Sequence, residues 1–295
     1  MATGTTITDS LADSLPSVVA AARIVREYKG VMTQLADRVT LGRGVGNTWN
    51  EISLAQLTAQ AITETTEEDN PQQLSDTLFS VTPSVISVHT VITDRVARNI
   101  SRNVFARTGS LGQNAIERKK DLDGITLLDG ASTSLGATGS ALTSGHVAAA
   151  AYRIRSNTTE PWDGPVSFVL HGFQMKDLYD ELKGGSFGTY PLPEGVTAEV
   201  FKRGFNLPIA NANGFTDDNI PIITGDDAKG GAFASGRGGA VVLVQARQPW
   251  VKLVRNEKLG GGASEQLHRD EFAYGERSSG NWLYELVSDA TVPTS

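Results

Sequence analysis

Residues 61–107 read AITETTEEDNPQQLSDTLFSVTPSVISVHTVITDRVARNISRNVFAR, and they sort charge along the chain. Between Val45 and Asp94 seven acidic residues (Glu51, Glu64, Glu67, Glu68, Asp69, Asp76, Asp94) stand without a single Lys or Arg. From Arg95 to Lys120 the sign reverses, with Arg95, Arg98, Arg102, Arg107, Arg118, Lys119 and Lys120 against Glu117 alone. The acidic half is rich in Thr, Val, Ser and Ile, which predicts two strand-like runs flanking the polar tip TEEDNPQQ. On the return run Val85, Ser87, His89 and Val91 alternate with Ile86, Val88, Thr90 and Ile92, so both faces are mixed. A two-stranded ribbon is marginal in water, so this one must lie on something else.

From Asp94 the spacing turns helical, with Val96, Ile100, Val104 and Phe105 in one stripe. Gly109 and Gly112 are expected to interrupt it, and SLGQNAIERKKDLDGITLLDG resumes a helix with Leu111, Ala115, Ile116, Leu122 and Ile125 inward. Two readings fit the charge pattern. One is a solvated acidic hairpin beside a solvated basic helix face; the other is a ribbon that reaches a neighbouring subunit's basic helix. Opposite-sign patches set partner orientation more than affinity, and repeated around a ring they give a closed assembly.

Outward from this stretch, residues 1–14 are small and polar and read as an arm, and Pro16 opens an amphipathic helical pattern running to Val39, weakened at Gly30. GRGVGN, residues 42–47, stops it. ASTSLGATGSA, residues 131–141, reads as a loop, and LTSGHVAAAAYRIRS as an Ala-rich helix capped by Thr143 or Ser144. PVSFVLHG predicts a short buried strand and FQMKDLYDELKGG a helix. Residues 186–240 read as loops and short strands ending in a mobile GDDAKGGAFASGRGG, with three strand-like stretches after it.

At 295 residues the chain can bury a sizeable core. Its net charge of -7 argues against a surface that grips nucleic acid all over. No cysteine is present, which removes disulfides and thiolate metal sites. The start lacks a signal-peptide pattern, and runs such as AVVLV are too short to span a bilayer, so the expectation is a soluble intracellular product with no membrane contact.

Chemistry-bearing motifs are sparse. His89, His146, His171 and His268 are scattered and share no motif, so no metal is expected. Lys229 sits among glycines, but the Gly-Lys-Ser/Thr ending of a phosphate loop is missing. There is no Gly-x-Ser-x-Gly elbow. Asp217, Asp218, Asp226 and Asp227 cluster without a calcium-hand register and read as solvated loops. No catalytic residue and no cofactor is assigned.

The order of elements resembles the tailed-phage major capsid proteins of the Hong Kong 97 fold, an α+β architecture. The resemblance covers nearly the whole chain, and its most telling pieces are Asp129-Gly130 at the end of the long helix and Tyr274-Gly275 with residues 281–289 after it. It implies an N-terminal arm and helix over 1–44, an extended β-ribbon loop over 45–94, a peripheral domain with the spine helix over 95–165 and 240–295, and an axial domain over 166–239. It implies that Glu64, Glu67, Glu68 and Asp69 lie near a tip reaching across a neighbouring subunit. Arg95, Arg98, Arg102 and Arg107 would lie near the ribbon base or spine, and Lys119 and Lys120 on the spine helix, all at the subunit interface. Asp226, Asp227, Lys229 and Arg237 would make axial-loop contacts at the fivefold and sixfold-like centres, and Arg23, Arg26 and Lys29 are candidates to face the lumen.

The function implied is non-enzymatic: a capsid subunit, assembled in the host cytoplasm and resident in the virion, that builds an icosahedral shell through pentamers and hexamers. Its partners would be itself, a separate scaffolding protein, a portal, and packaged double-stranded DNA without sequence specificity. The ribbon carries no lysine, so covalent cross-linking from it is not expected, and shell stability would rest on buried area, interlocking arms or an added cement protein. The alternatives are an encapsulin-type shell with protein cargo and, from another class, an enzyme or binding module with an unrecognised site.

Overall fold

A computed structural model describes residues 5–6, 29–59, 61–65, 71–99, 102–183, 209–259, 261–277 and 280–294. In chain order the elements are β1 (Thr5–Thr6), α1 (Met32–Leu35), β2 (Asp37–Thr40), β3 (Trp49–Leu54), β4 (Asp76–Val81), β5 (Ser84–Thr93), α2 (Asp94–Asn99) and α3 (Arg102–Asp129). Then come β6 (Ser134–Gly136), α4 (Ser144–Arg155), β7 (Val166–Leu170), α5 (Gly172–Lys183), β8 (Ala212–Thr216), β9 (Ile222–Ile223), β10 (Asp227–Ala234), β11 (Val241–Asn256), β12 (Ala263–Glu276) and β13 (Leu283–Asp289). The architecture is α+β, as expected. Among the described residues no helix is long and apolar enough to cross a membrane.

Two sheets organise the chain. The first has the order β1-β5-β12-β11-β2, and the second runs β6-β13-β10-β7-β8 with β9 also on β10. The main core fills the space around the second sheet with α3, α4 and α5, where Phe168, Phe233, Leu128, Ile154 and Leu178 are closed to solvent. At about 1.5 Å per residue the 28 residues of α3 span roughly 42 Å, enough to touch both sheets. It packs on β5 and β12 of the first and on β10 and β13 of the second.

The glycines expected to break this helix do not. α3 runs through Gly109 and Gly112 because Gly112 is an inward position: a Cβ there would fall 2.5 Å from the ring of His268 on β12. The buried row of α3 is Gly112, Ile116, Lys120, Gly124 and Leu128, with Asp121 and Ile125 beside it. Leu111, expected inside, is exposed. Steps of four residues keep one face of a helix, and this face is chosen by close approach and ion pairing as much as by apolarity.

Three further expectations are corrected. Residues 37–40 are not the tail of a helix; α1 is one turn, Ala36 turns extended, and β2 pairs parallel with β11 through Val39 and Val244. Residues 16–28 lie outside the described residues. The ribbon's return run is split: Asp76–Val81 pairs with β3, but Ser84–Thr93 joins the first sheet against β12. Pro83, without a backbone N–H, stands at the break. Finally, the glycine-rich segment read as a mobile loop holds β10, a buried strand at the centre of the second sheet between β13 and β7. Glycine is needed there for contact, since a Cβ on Gly230 would lie 2.3 Å from the Val169 carbonyl oxygen.

The sheets also divide the chain differently from the boundary drawn at residues 239 and 240. β13 and β6 pair with each other, and β13 pairs with β10, so residues near both 134 and 286 belong to the second sheet. By contrast α4 begins where the sequence places it: Thr143 is the N-cap and shares a capping box with His146.

Candidate functional site

The feature that stands away from both sheets is the β3–β4 hairpin. Its register pairs Trp49 with Val81, Glu51 with Phe79, Ile52 with Leu78 and Leu54 with Asp76. Ala55 N–H donates to the Ser75 carbonyl at 2.9 Å, and Thr58 N–H to Gln72 Oε1 at 2.8 Å, so the two chains stay together past the last strand residue. Because strand side chains alternate, Ile52, Leu54 and Leu78 share one face and Trp49, Phe79 and Val81 the other.

The second face is anchored. Trp49 and Phe79 pack edge to face, 5.9 Å between ring centroids. With Val81 they join Val242, Val244, Val39 and Ala273 in a small core on the side of the first sheet opposite α3. Gly275 admits this crossing, since a Cβ there would lie 2.4 Å from Val81 Cγ2 and 2.8 Å from Phe79 Cζ.

Arg277 fixes the angle of the hairpin root. Its guanidinium Nε donates to Glu51 Oε2 at 2.8 Å and Nη1 to Asp37 Oδ2 at 2.7 Å and to the Gly239 carbonyl at 3.1 Å. It also lies 5.6 Å from the centroid of the Trp49 ring. The planar fork suits this many fixed acceptors, which a lysine ammonium would not match. Between the root and the body lies a cavity of about 500 Å³, lined among others by Ser53, Phe79, Glu160, Glu276 and Trp282. Burial pushes the Glu276 carboxyl up, opposed by the Gly280 N–H it accepts. Arg277→Met is expected to lower stability by about 2 kcal/mol, the scale of charge-assisted hydrogen bonds, and to widen the spin-label distance distribution between hairpin and α4. Arg277→Lys is expected to recover only part of that order.

Among the described residues the first face is largely open, although Ile52 and Leu78 also line that cavity. Ile52, Leu54, Leu57, Ile62, Leu74 and Leu78 are each between 59% and 68% exposed. Single exposed apolar residues are ordinary, but three on one strand face with three more just beyond the strands form a surface that water disfavours.

The charged residues singled out in the sequence are placed unevenly. Glu64 is exposed beyond the paired part of the arm, while Glu67, Glu68 and Asp69 lie outside the described residues. Arg95 and Arg98 are exposed on α2, whose first residue Asp94 is gripped by Arg255 of β11, and this guanidinium holds the Asp94 carboxyl below the usual range. Arg102 opens α3 and its side chain lies outside the described set; Arg107 is exposed. Lys119 is at the surface, paired with Asp123 one turn on.

Lys120 is the clear correction. It is 5% exposed, with Nζ 2.5 Å from Asp270 Oδ2 and 4.9 Å from the Phe272 ring centroid, so it cannot meet a neighbouring subunit. The axial-contact set is similarly engaged within the chain. Asp227 is buried and accepts the Gly139 N–H at 2.7 Å, and Lys229 pairs with Asp129 at 2.6 Å and Glu285 at 3.1 Å. Asp226 occupies the positive-φ turn before β10, and Arg237 is exposed in the turn after it. Lys29 lines a second cavity, over α3, and Arg23 and Arg26 are outside the described residues.

The sequence reading missed Arg277 and Asp121, and it took Asp217 and Asp227 for solvated loop residues, whereas both are buried; only long-range folding gives these charges their partners. Among the described residues no three His, Asp or Glu side chains group as a metal site.

No protein-family model matches the sequence, and no curated protein does. Solved structures do. The capsid of the cyanophage P-SCSP1u is 12% identical, with a TM-score of 0.65 over 98% of this chain and 96% of that one. The head of Helicobacter pylori bacteriophage KHP40 is 11% identical, with a TM-score of 0.70 over 91% and 94%. The holo-SrpI encapsulin complex of Synechococcus elongatus PCC 7942 is 11% identical, with a TM-score of 0.62 over 94% and 95%.

Proposed function

Because this chain has the Hong Kong 97-type capsid fold, we propose that it is a structural shell subunit rather than an enzyme. In the full reading it assembles through pentamers and hexamers into the icosahedral virion shell around the double-stranded DNA of a tailed virus. The observation that carries the reading is the β3–β4 arm: a paired ribbon tied at its root by Arg277 whose apolar residues Ile52, Leu54 and Leu78 are 61–68% exposed among the described residues. A second copy is the occupant that fits, because a ring of identical subunits gives every arm a receiver and leaves none exposed. The acidic residues Glu64, Glu67, Glu68 and Asp69 would meet Arg95, Arg98, Arg102 and Arg107 of that copy and orient the docking; Lys119 is at the surface for the same role.

Negative-stain electron microscopy of the expressed chain after size exclusion tests this. Rings of five and six or closed shells are expected, and they should weaken as salt rises from about 50 mM to 0.5 M if the ionic part matters, since exposed charges are screened within about 10 Å at 0.1 M. A monomer that stays monomeric with a co-expressed scaffolding protein would overturn the reading. Portal and cement proteins are further proposed partners, sought by co-purification with the shells.

An encapsulin-type compartment is the second reading, favoured by the encapsulin likeness, which matches the phage ones in coverage and score. The two part on contents: nuclease-protected DNA in shells from the native source supports the viral role, and a co-purifying protein cargo supports the compartment.

A further inference from the structure

Two carboxyl groups are buried side by side where three parts of the chain meet. Asp121 is on the inner side of α3 and Asp217 in the turn after β8, and they are 1% and 0% exposed. Asn219 touches both of them, and they accept consecutive backbone N–H groups of one segment, so the two carboxyls are close neighbours. Each also holds the backbone entering α1: Asp217 Oδ2 accepts the Val31 N–H at 3.0 Å, and Asp121 Oδ1 the Met32 N–H at 3.1 Å. Asn219 completes the network, its Nδ2 2.9 Å from Asp121 Oδ2 and its backbone N–H 3.0 Å from Asp217 Oδ1. Gly30 is seated so tightly that a Cβ would fall 1.7 Å from the Asp121 carboxyl carbon.

Two carboxyls this close in a closed site cannot both carry charge cheaply, which favours holding a proton on Asp217. We propose that Asp121 and Asp217 form a proton-dependent latch, which holds residues 29–32 against α3 and the turn after β8 while the proton is held and releases them when it is lost. Burial first, and then the neighbouring Asp121, push the Asp217 carboxyl up to about 7.

The charged and titratable surroundings are consistent with a titration near neutrality. On α3, Glu117 and Arg118 line a cavity of about 260 Å³ on the side of Asp121, opposite Lys29 of the held segment. Lys120, next in sequence, is committed to Asp270. From β12, the Tyr274 hydroxyl is buried, and burial and Asp121 raise it far above its ordinary range, so it stays neutral. Arg38 of β2 donates to the Thr33 carbonyl at 2.7 Å. Asp218 accepts the Gly172 N–H at 3.1 Å and acts on His171.

The shift sets the direction. A carboxyl raised from 3.8 to about 7 by folding favours the latched state fully at low pH; that preference is lost as pH rises and is gone above the folded value. Between pH 5 and 6.5 the ratio of latched to released segment should fall about 20-fold, and above pH 7 it should change little further.

Hydrogen exchange of the Val31 and Met32 amides in the intact chain measures this, corrected for intrinsic chemistry and referenced to Phe168 in β7. The expected result is a roughly 20-fold loss of protection in the wild type between pH 5 and 6.5, levelling off above pH 7. Asp217→Asn keeps one acceptor oxygen, for either the Val31 or the Asn219 N–H, and removes the titrating carboxyl, so its protection should not change with pH; Asp121→Asn makes the same comparison from the other side. Flat protection in the wild type, or an equal fall in the Asn variants, overturns the latch. The measurement is made on a single chain and is independent of whether shells form.

Discussion

Replacing Ile52 and Leu78 together by aspartate is expected to leave a folded monomer and abolish rings and shells. The two residues are cross-strand partners on the open face of the arm, 61% and 63% exposed, so neither change opens a cavity in the core. Fully burying two such side chains is worth roughly 1.5–3 kcal/mol each, and placing a carboxylate in each position adds a desolvation cost that association would have to meet. An interface repeated by symmetry multiplies the loss at every contact. Analytical ultracentrifugation and microscopy read assembly, while circular dichroism and a denaturation curve read the fold. Shells from the double variant would show that this face is not the docking surface, even if the chain remains a shell protein. The control is Glu257→Lys in the exposed turn after β11, which should assemble as the wild type does.

The legible parts of this fold were those in which local chemistry and global position agree. α4 announces itself by the Thr143 cap and its Ala run, and β7 by five consecutive buried apolar and small residues bounded by Pro165 and Gly172. The arm was legible because its charge and β-branched content differ from those of the helices α2 and α3 beyond it. Where close approach decides the residue, the pattern misled. Gly112 on α3 read as a break and Gly230 and Gly231 on β10 as a mobile loop, yet each lets another element come within a contact that a side chain would block. Buried charge misled in the same way: Lys120 and Asp121 look like the solvated face of a helix, and their partners Asp270 and Asn219 are far away in the sequence. The arm's root was half legible. Trp49 and Phe79 could be read as strand residues, but nothing near Arg277 in the sequence says that it reaches Glu51 and Asp37.

The misread lysine carries the other large effect. Lys120→Met is expected to destabilise the monomer by about 3–5 kcal/mol, the range for breaking a buried ion pair by removing one partner. Asp270 is fully buried, and its other contacts are the Gln245 amide at 3.1 Å and the Glu271 N–H at 2.8 Å, so the lost ammonium would leave its charge poorly compensated. Adding Asp270→Asn removes that charge while keeping an acceptor for Gln245, and the double variant should recover to within about 1–2 kcal/mol of the wild type, because a buried pair contributes little net stability over neutral groups that fill the same space. The cycle is best measured by urea unfolding in the Ile52→Asp, Leu78→Asp background, where assembly cannot add apparent stability by mass action. A surface lysine serving a neighbouring subunit would behave in the opposite way: monomer unfolding unchanged within about 0.5 kcal/mol, and assembly weakened. The salt dependence separates the two as well, since a pair 5% and 0% exposed is shielded from counter-ions that screen surface charge.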